Sequence, residues 1–500
     1  MGSSTYTSVV HNGPHILSVD IGSSGTRAAI YDGHGREVAG TAASMPRTFG
    51  HTPDGGAEID ADELVAQTEA VITQSLSAAG TNSIEAVAIA SFWHSLVGVD
   101  AAGTAITPIY GWADTRARRA AEQLRQKFDP AKTHLRTGCR LHAGYWPAKI
   151  RSLRVAFPEM FGRVKRWASP GDLLIERWCG QSATSVSMAS GTGLLDQRRC
   201  EWDDELLAGI GLDRSAMPAL ADDALIFHLR SEYVQRWPQL ARARIFPALG
   251  DGAANNIGAG CVTRERAALM IGTSGAMRVL WTGPPPDELP PGLWQYRADR
   301  ERVVVGGALS DGGGLYRWLR DSLALTGDSA ELERALSKLE PDTHGLTVLP
   351  FWAGERSTGW NDAARGGVFG ATMQTQPIEI LRAALEAVAY RFAAIADQLG
   401  RVAEPVTIYA SGGALRESAV WTQILADVLG QPLQLTNVAE ASSRGAALLA
   451  LSRVGAEPIL ELFTPTVTGA VEPDLRSHAR YQEARERQQQ LRDTLYGQES

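Results

Sequence analysis

The sequence predicts an α/β fold built from two duplicated domains. Strand and helix patterns alternate along most of the chain, and one short pattern occurs twice, roughly 250 residues apart. The first copy, DIGSSGTRAAIYD, begins at Asp20, and the second, IGTSGAMRVLW, begins at Ile271. Because the repeats of solenoid proteins are only about 20 to 50 residues long, this long period indicates a duplicated domain.

Composition narrows the class of protein. The chain has 500 residues, 44% of them apolar and 21% charged, which suits two hydrophobic cores of ordinary globular composition. Its net charge of −8 and the lack of a basic stripe argue against nucleic acid as a partner. No run of about 18 apolar residues is present, so no membrane segment is expected. Four scattered cysteines without a CxxC pair favour a reducing cytoplasm, and a homodimer is left open.

Domain limits follow from composition shifts. Residues 1–14 are polar and lack the basic start and apolar run of a signal peptide, so we expect a flexible tail. We place the N-terminal domain at 15–255 and the C-terminal domain at 256–500. The junction falls in 250–262, GDGAANNIGAGCV, where small residues are dense. This segment is the predicted hinge.

Apolar periodicity and turn residues predict the elements in order. The stretch HILSVDIGSSGTRAAIYDGHGREVAG has β-prone runs broken by glycine-rich turns, which predicts a β-meander. A helix follows in DADELVAQTEAVITQSLSAAG, which has an acidic start, and then a strand in EAVAIASFW. The second half repeats this order with the strands of AALMIGTSGAMRVLW, RVVVGGAL and PVTIYAS and the helices LYRWLRDSLAL, PIEILRAALEAVAYRFAAIADQLG and ESAVWTQILADVLG.

The turn after Asp20 has the chemistry of a phosphate-binding loop. Glycines let the backbone approach a phosphate closely, and consecutive N–H groups form an anion-binding concavity. Asp20 at the strand end is suited to face a phosphate-bound Mg²⁺ through water, and Arg27 adds a positive charge. An ordinary Gly-Ser hairpin is the alternative for one loop alone. The second copy favours a two-sided site for a triphosphate.

Further stretches extend this pattern over nearly the whole chain. They are GWADTRA, TGCRLHAGYWPAKI, SMASGTGL, GDGAANNIGAG, WLRD, GERSTGW and SGGALRESAVWTQILADVLG. In their order and spacing the sequence resembles the FGGY family of carbohydrate kinases, and within it the gluconokinase-like branch. The resemblance implies two actin-like (ribonuclease H-like) domains flanking a nucleotide and sugar cleft. It also implies a kinase that uses ATP and Mg²⁺.

The resemblance assigns residues to the nucleotide. Contacts to the phosphates are implied for Ser23, Ser24, Gly25 and Arg27 in the first half and for Thr273 in the second. Nucleotide contacts are also implied for Gly313, Arg317, Gly412 and Gly413, with the last two against the adenosine. Arg416 or Glu417 stands where some relatives carry asparagine, so adenine contacts there stay open.

The reaction needs a base beside a sugar hydroxyl. A carboxylate is suitable because it accepts the proton while Mg²⁺ and backbone donors stabilise the charge of the moving phosphoryl group. The resemblance points to Asp251 in the predicted hinge. In isolation an Asp-Gly pair is usually only a turn.

Sugar recognition is expected mainly from the first half. The resemblance implies contacts from Trp93, His94, Trp112, Arg116, Tyr145 and Lys149. Indole faces pack on sugar C–H groups, and histidine bonds hydroxyls with direction. Gly144 stands where glycerol-phosphorylating relatives carry a tyrosine, which argues against glycerol. Arg140 and Lys149 are candidates to bind a sugar-acid carboxylate, and arginine is better suited to bidentate pairing. The alternatives are a core role for the tryptophans, a local ion pair between Arg116 and Asp114, and an ammonium of Lys149 that reaches solvent.

Two function classes follow. The first is an ATP-dependent kinase for a sugar, polyol or sugar acid, with gluconate as the first substrate and a ketopentose such as xylulose as the second. The other is a non-catalytic actin-like sugar sensor, which would need no carboxylate at position 251. The segment GERSTGWNDAARGGVFG is expected to brace the cleft with little direct chemistry.

Overall fold

The computed structural model describes residues 13–80, 83–438, 440–455, 460 and 463–497. The predicted N-terminal tail therefore lies outside the described residues, apart from Gly13 and Pro14. Among the described residues, no helix is long and apolar enough to cross a membrane.

A mixed sheet forms the centre of the first half. Its strands are Ile16–Gly22, Gly25–Tyr31, Ala43–Pro46, Ala86–Ser91, Arg244–Ile245 and Leu249–Gly250. The strand Ile16–Gly22 pairs antiparallel with Gly25–Tyr31 on one side and parallel with Ala86–Ser91 on the other. The predicted hairpin around the first glycine-rich turn is therefore present, with Gly22 opposite Gly25.

The second half contains a seven-stranded sheet with the same central pattern. Its strands are Arg266–Ile271, Gly275–Thr282, Trp294–Arg297, Arg302–Leu309, Thr407–Ser411, Leu433–Thr436 and Val467–Val471. The strand Arg266–Ile271 again pairs antiparallel with the strand after its glycine-rich turn and parallel with Thr407–Ser411. The predicted α/β fold with two duplicated domains is confirmed.

Helices and short strands complete each half. The helices are Ala61–Ala79, Arg118–Lys127, Pro130–Thr137, Trp146–Ala156, Pro158–Arg163, Pro170–Cys179, Val186–Ser190, Asp204–Ile210, Ser231–Arg236, Asp251–Gly258, Gly313–Ser322, Ser329–Leu336, Pro377–Leu399, Gly413–Glu417, Ala419–Leu429, Ala441–Arg453 and Leu475–Tyr496. Shorter strands are Gly50–His51, Ala57–Ile59, Val97–Val99, Ile109–Tyr110, Arg166–Ala168, Ala183–Thr184, Leu195–Asp196, Glu201–Trp202, Ala219–Leu220, Thr347–Leu349 and Gly367–Phe369. Side-chain caps such as Asp60 and Ser418 fix where helices begin.

The two halves meet through a pair of crossing helices, Asp251–Gly258 and Ala441–Arg453. A Cβ atom on Gly258 would lie 1.8 Å from the carbonyl oxygen of Ala441, and one on Gly445 would lie 1.8 Å from that of Ala254. Only glycine permits so close an approach. The small residues of the predicted hinge therefore build a helix crossing, and the proposed boundary at 255/256 falls inside a helix.

The helix Ala441–Arg453 also packs on the first sheet, although it comes late in the chain. The Ser18 hydroxyl, on the first strand, donates to the carbonyl of Ser443 at 2.7 Å. The order of elements in the sequence did not predict that a helix of the second half packs on the sheet of the first. This packing places the crossing helices against the strands of the first sheet.

Candidate active site

The first glycine-rich turn holds Ser23, Ser24 and Gly25 between two strands. A Cβ atom on Gly25 would lie 2.6 Å from the carbonyl oxygen of Met45, so the strand Ala43–Pro46 requires glycine at this position. The indole Nε1 of Trp112 donates to the Ser23 hydroxyl at 2.9 Å. The turn thus stands in direct contact with a residue predicted to bind the sugar.

Two carboxylates lie beside this turn. Burial first, and then the charge of Asp251, raise the pKa of Asp20 to about 7. Burial also raises the pKa of Asp251, while Arg278 and the backbone N–H groups of Gly252 and Trp93 oppose that shift. Two mutually repelling carboxylates are a hard oxygen donor set, which fits a divalent cation such as Mg²⁺.

Arg27 lies on the strand that follows the first turn, where its guanidinium forms an ion pair with Glu440 at 2.8 Å. Glu440 belongs to the second half and also raises the pKa of Asp20. Both side chains of the pair are partly exposed. The positive charge predicted to face the phosphates is therefore matched by a carboxylate from across the junction.

The second glycine-rich turn, around Thr273, is held mainly by backbone contacts. The N–H of Gly313 donates to the carbonyl of Gly272 at 2.8 Å, and Arg317 Nη2 donates to the Thr273 hydroxyl at 3.1 Å. Gly412 has φ of 110°, and a Cβ atom there would lie 2.2 Å from the carbonyl oxygen of Ile271. Of the three glycines of this half predicted to touch the nucleotide, Gly313 and Gly412 pack closely against the backbone of this turn and of the strand before it.

A narrow cleft continues from the second turn. Its walls are Gly313, Tyr316, Arg317, Ala414, Glu417, Ser418 and Trp421. The turn at Gly412 and Gly413 leads directly into the helix that forms one of these walls. Of the two residues whose adenine contacts stay open, Glu417 lines the cleft and Arg416 does not.

A larger cavity of about 410 Å³ opens between the two halves. Its walls include His51, His94, Trp112, Asp114, Arg118, His142, Tyr145, Trp352, Glu355, Arg356, Trp360, Asp362 and Arg365. Three of the six predicted sugar contacts, His94, Trp112 and Tyr145, are therefore brought together on one wall. Aromatic faces with a few directional polar groups are typical of a sugar site.

His94 presents a defined hydrogen-bonding group to the cavity. Its Nδ1 lies 2.5 Å from the carbonyl of Gly191, and burial lowers its pKa well below the usual range. A neutral imidazole that donates from Nδ1 leaves Nε2 as an acceptor. The backbone at His94 has φ of 68°, a left-handed conformation uncommon for a residue other than glycine. His94 is therefore set to accept a hydrogen bond from a hydroxyl group.

The other three predicted sugar contacts lie behind this wall. Trp93 is buried and donates from Nε1 to the carbonyl of Ser187 at 2.9 Å. Arg116 is engaged by Asp114 and Glu58. Lys149 is only 3% exposed and donates to the carbonyls of His94 at 3.1 Å and Gly111 at 2.7 Å. None of the three is among the residues that line the cavity, and each of them is bound by protein partners.

The sequence analysis missed Arg356, which enters the cavity from the second half. Its guanidinium lies 5.3 Å from the ring centre of Trp112 and 6.0 Å from that of Trp360, so it is held by cation–π contacts. Among the described residues, no carboxylate forms an ion pair with it. The sequence signal that could have indicated Arg356 was a charged residue inside a segment rich in turn formers.

The neighbouring Glu355 explains how Arg356 is positioned. Glu355 is buried and accepts hydrogen bonds from Arg391 and Arg492, which belong to the two long helices of the second half. This ion cluster anchors the loop. The structural role expected for GERSTGW suits Glu355, whereas the next residue points into the cavity. Arg140, which the sequence suggested as a ligand for a sugar-acid carboxylate, lines a neighbouring cavity.

Comparison with known proteins decides the family. Residues 15–258 match the N-terminal domain of the FGGY family of carbohydrate kinases, and residues 267–453 match its C-terminal domain. The chain belongs to the FGGY family. It is thus an ATP-dependent carbohydrate kinase, a phosphotransferase with an alcohol group as acceptor, as the resemblance implied.

Individual relatives agree on the class and differ in substrate. The chain is 27% identical over 461 residues to a gluconokinase of Bacillus subtilis (strain 168), with 88% of each chain covered. It is 29% identical over 461 residues to a glycerol kinase of Rhizorhabdus wittichii, again with 88% of each covered. Its structure resembles the gluconate kinase and the ligand-bound xylulose kinase of Lactobacillus acidophilus, each with a TM-score of 0.89 and 25% identity. Each match covers 97% of this chain and 99% of the other.

Proposed function

We propose that this FGGY kinase transfers the γ-phosphoryl group of ATP to a hydroxyl of a sugar acid, with gluconate as the first candidate. The observation that carries the choice of an acid is Arg356, a guanidinium in the large cavity without an ion-pair partner among the described residues. A guanidinium fork matches a carboxylate in geometry and charge. Likeness to gluconokinases over most of the chain supports the same choice.

Asp251 is the proposed general base. It is the first residue of the helix Asp251–Gly258, and the N–H of Gly252 donates to its carboxylate at 2.7 Å. A raised pKa makes this carboxylate a stronger proton acceptor than an ordinary aspartate. The backbone of Trp93 bonds to it, and the next residue, His94, lines the cavity. We propose that Asp251 takes the proton of a hydroxyl whose neighbour is bonded by His94.

The remaining site residues have proposed roles around this centre. Ser23, Ser24, Gly25 and Arg27 bind phosphates from the first half, and Thr273 and Arg317 bind them from the second. Mg²⁺, held through water by Asp20, would neutralise charge on the transferring phosphates. Trp112 and Tyr145 pack on the sugar, while Trp93, Arg116 and Lys149 act by holding the wall of the cavity in place.

A ketopentose is the second candidate substrate. The likeness in structure to a xylulose kinase is as strong as that to a gluconate kinase, and the aromatic wall suits either sugar. A coupled assay of ADP release over gluconate, xylulose, glycerol and glucitol decides between them. We expect the highest kcat/KM for gluconate. If gluconate reacted only at the background rate while xylulose was turned over, the proposal of a sugar-acid substrate would be refuted. The kinase activity would still stand.

A further inference from the structure

The first glycine-rich turn, the proposed phosphate loop, rests on a buried arginine, Arg47. Arg47 Nη2 donates to the carbonyl of Gly22 at 2.5 Å, and Nη1 donates to the Thr26 hydroxyl at 2.8 Å. Its backbone N–H donates to the carbonyl of Ser24 at 3.0 Å. One residue therefore bonds the loop at its start, its middle and its end.

These bonds determine which way the loop donors point. In a planar trans peptide the C=O of one residue and the N–H of the next point in opposite directions. Because Arg47 binds the carbonyl of Gly22, the N–H of Ser23 is turned away from Arg47. The Ser23 hydroxyl receives the indole N–H of Trp112 from the cavity. Arg47 thus braces the loop from the side opposite the ligand.

In the described part of the chain, the charge of Arg47 has no partner of opposite sign in direct contact, and Glu63 attracts it only from a distance. The residue is 6% exposed, and its Nε is buried without a hydrogen-bond acceptor. Among the described residues, no carboxylate lies within ion-pair distance, and the nearest acidic contact runs through Gln67, which accepts from Arg47 and donates to Glu63. Arg27, on the same hairpin, has Glu440. A buried cation without a counter-ion is unfavourable until an anion arrives nearby.

We propose that Arg47 is a positioning residue for the polyphosphate of the nucleotide. It fixes the peptide planes of the first loop and leaves a buried positive charge beneath that loop, which the phosphates of ATP offset on binding. The inference rests on the proposed contact between Ser23–Gly25 and the phosphates. It goes further in predicting that a residue outside the loop, on its rear face, sets how strongly affinity depends on phosphate number.

The test compares nucleotide affinities without sugar. Binding of a non-hydrolysable ATP analogue, ADP, AMP and adenosine is measured by calorimetry for the wild type, Arg47→Met and Arg47→Lys. For Arg47→Met we expect the affinity for the triphosphate analogue to fall about tenfold or more, and that for adenosine to change less than about twofold. Arg47→Lys keeps the charge but loses the fork, so an intermediate loss is expected.

The control is Arg36→Met, which removes an exposed arginine of the same domain that pairs with Asp32. It should bind every nucleotide as the wild type does. Equal losses for adenosine and the triphosphate analogue would overturn the proposal, and so would unchanged triphosphate binding in both Arg47 variants. If Arg47→Met does not fold, Arg47→Lys decides. A wild type whose affinity ignores phosphate number would instead refute the phosphate assignment of the loop itself.

Discussion

The two glycine-rich turns occupy the same place in two equivalent sheets, yet they are held by different means. Side chains hold the first turn: Arg47 binds it from behind, and Trp112 binds it from the cavity. Backbone contacts hold the second turn, where Gly313 donates to Gly272 and Gly412 packs against Ile271. Duplication preserved the topology and left the supporting residues free to differ.

This difference divides the work of the cleft. The first turn contacts the large cavity, where we propose that the sugar binds, because Trp112 lines that cavity and donates to Ser23. The second turn contacts the narrow cleft, where we propose that the nucleoside binds, because Arg317 lines that cleft and bonds Thr273. The first half is thus expected to respond to the sugar and the second to the nucleotide. Changes on each side test this division.

The largest effect is expected at the junction of the two halves, where the proposed base Asp251 lies. Asp251→Asn keeps the size of the side chain and removes the proton acceptor, so kcat should fall roughly 10²–10⁴-fold. The measurement is sugar-dependent ADP release at saturating ATP and gluconate. Asp287→Asn, at a highly exposed carboxylate, is the control and should leave kcat unchanged. A variant at position 251 with kcat near that of the wild type would remove Asp251 as the base.

On the second turn, Gly412→Ala tests whether backbone packing is the support. The new Cβ would lie 2.2 Å from a carbonyl oxygen at φ of 110°, so the variant must shift the turn or lose stability, at roughly 1–3 kcal/mol. We expect a lower Tm and a raised KM for ATP with the KM for gluconate unchanged. Gly469→Ala, where the added Cβ meets open space, is the matched control. A rise in the gluconate KM instead would contradict the division of the cleft.

Much of the fold could be predicted from the sequence because its signals are local. The helix at ESAVWTQILADVLG is present as Ala419–Leu429, and Ser418 caps it by accepting from the N–H of Trp421. The third strand of the first meander begins only at Ala43, later than GREVAG suggested. The carboxylate of Asp32 accepts from the N–H groups of His34 and Arg36, which holds those residues in a turn.

The candidate site was less predictable, because a side chain's direction depends on distant neighbours. The resemblance implied sugar contacts for both Trp112 and Arg116, yet only Trp112 lines the cavity. Arg116 instead forms an ion pair with Glu58 on the strand Ala57–Ile59. Arg356 was missed for the opposite reason. Its neighbour Glu355 is anchored by Arg391 and Arg492, both far away in the sequence. No local pattern shows that Glu355 is bound by two distant arginines while Arg356 beside it has no ion-pair partner among the described residues.

Arg356 also sharpens the comparison, because a residue of the second half enters the cavity assigned to the first. Arg356→Met should raise the KM for gluconate about 10- to 100-fold, since a charge-assisted hydrogen bond is lost. The control ligand is glucitol, which has a hydroxymethyl group in place of the carboxylate. Its inhibition constant should change little. Equal losses for both ligands would show that Arg356 does not recognise the acid.

A smaller effect is expected where the sugar cavity meets the first turn. Trp112→Phe removes the N–H that binds Ser23 and keeps an aromatic face for Arg356. The gain in ATP affinity that gluconate produces should shrink about three- to tenfold, the value of one hydrogen bond. Nucleotide affinity with and without gluconate measures it. In the control, Trp237→Phe, the lost partner is the Thr73 hydroxyl, away from the cleft. If gluconate raised the ATP affinity of Trp112→Phe as much as that of the wild type, the bond between Trp112 and Ser23 would not couple the two ligands.

The last effect is on stability rather than on binding or turnover, and it concerns Lys149. Burial lowers the pKa of Lys149 to about 7, below the 10.5 of the free side chain. Between these values the unfolded chain binds more protons than the folded one, so the penalty for burying Lys149 is full below pH 7 and is relieved as the pH rises. The unfolding free energy of the wild type should therefore increase relative to Lys149→Met from pH 7 to 10, by up to about 1.4 kcal/mol per pH unit. Urea denaturation of both proteins at three pH values measures this difference. A constant difference would mean that Lys149 stays charged in the fold, bound as an ammonium by the carbonyls of His94 and Gly111.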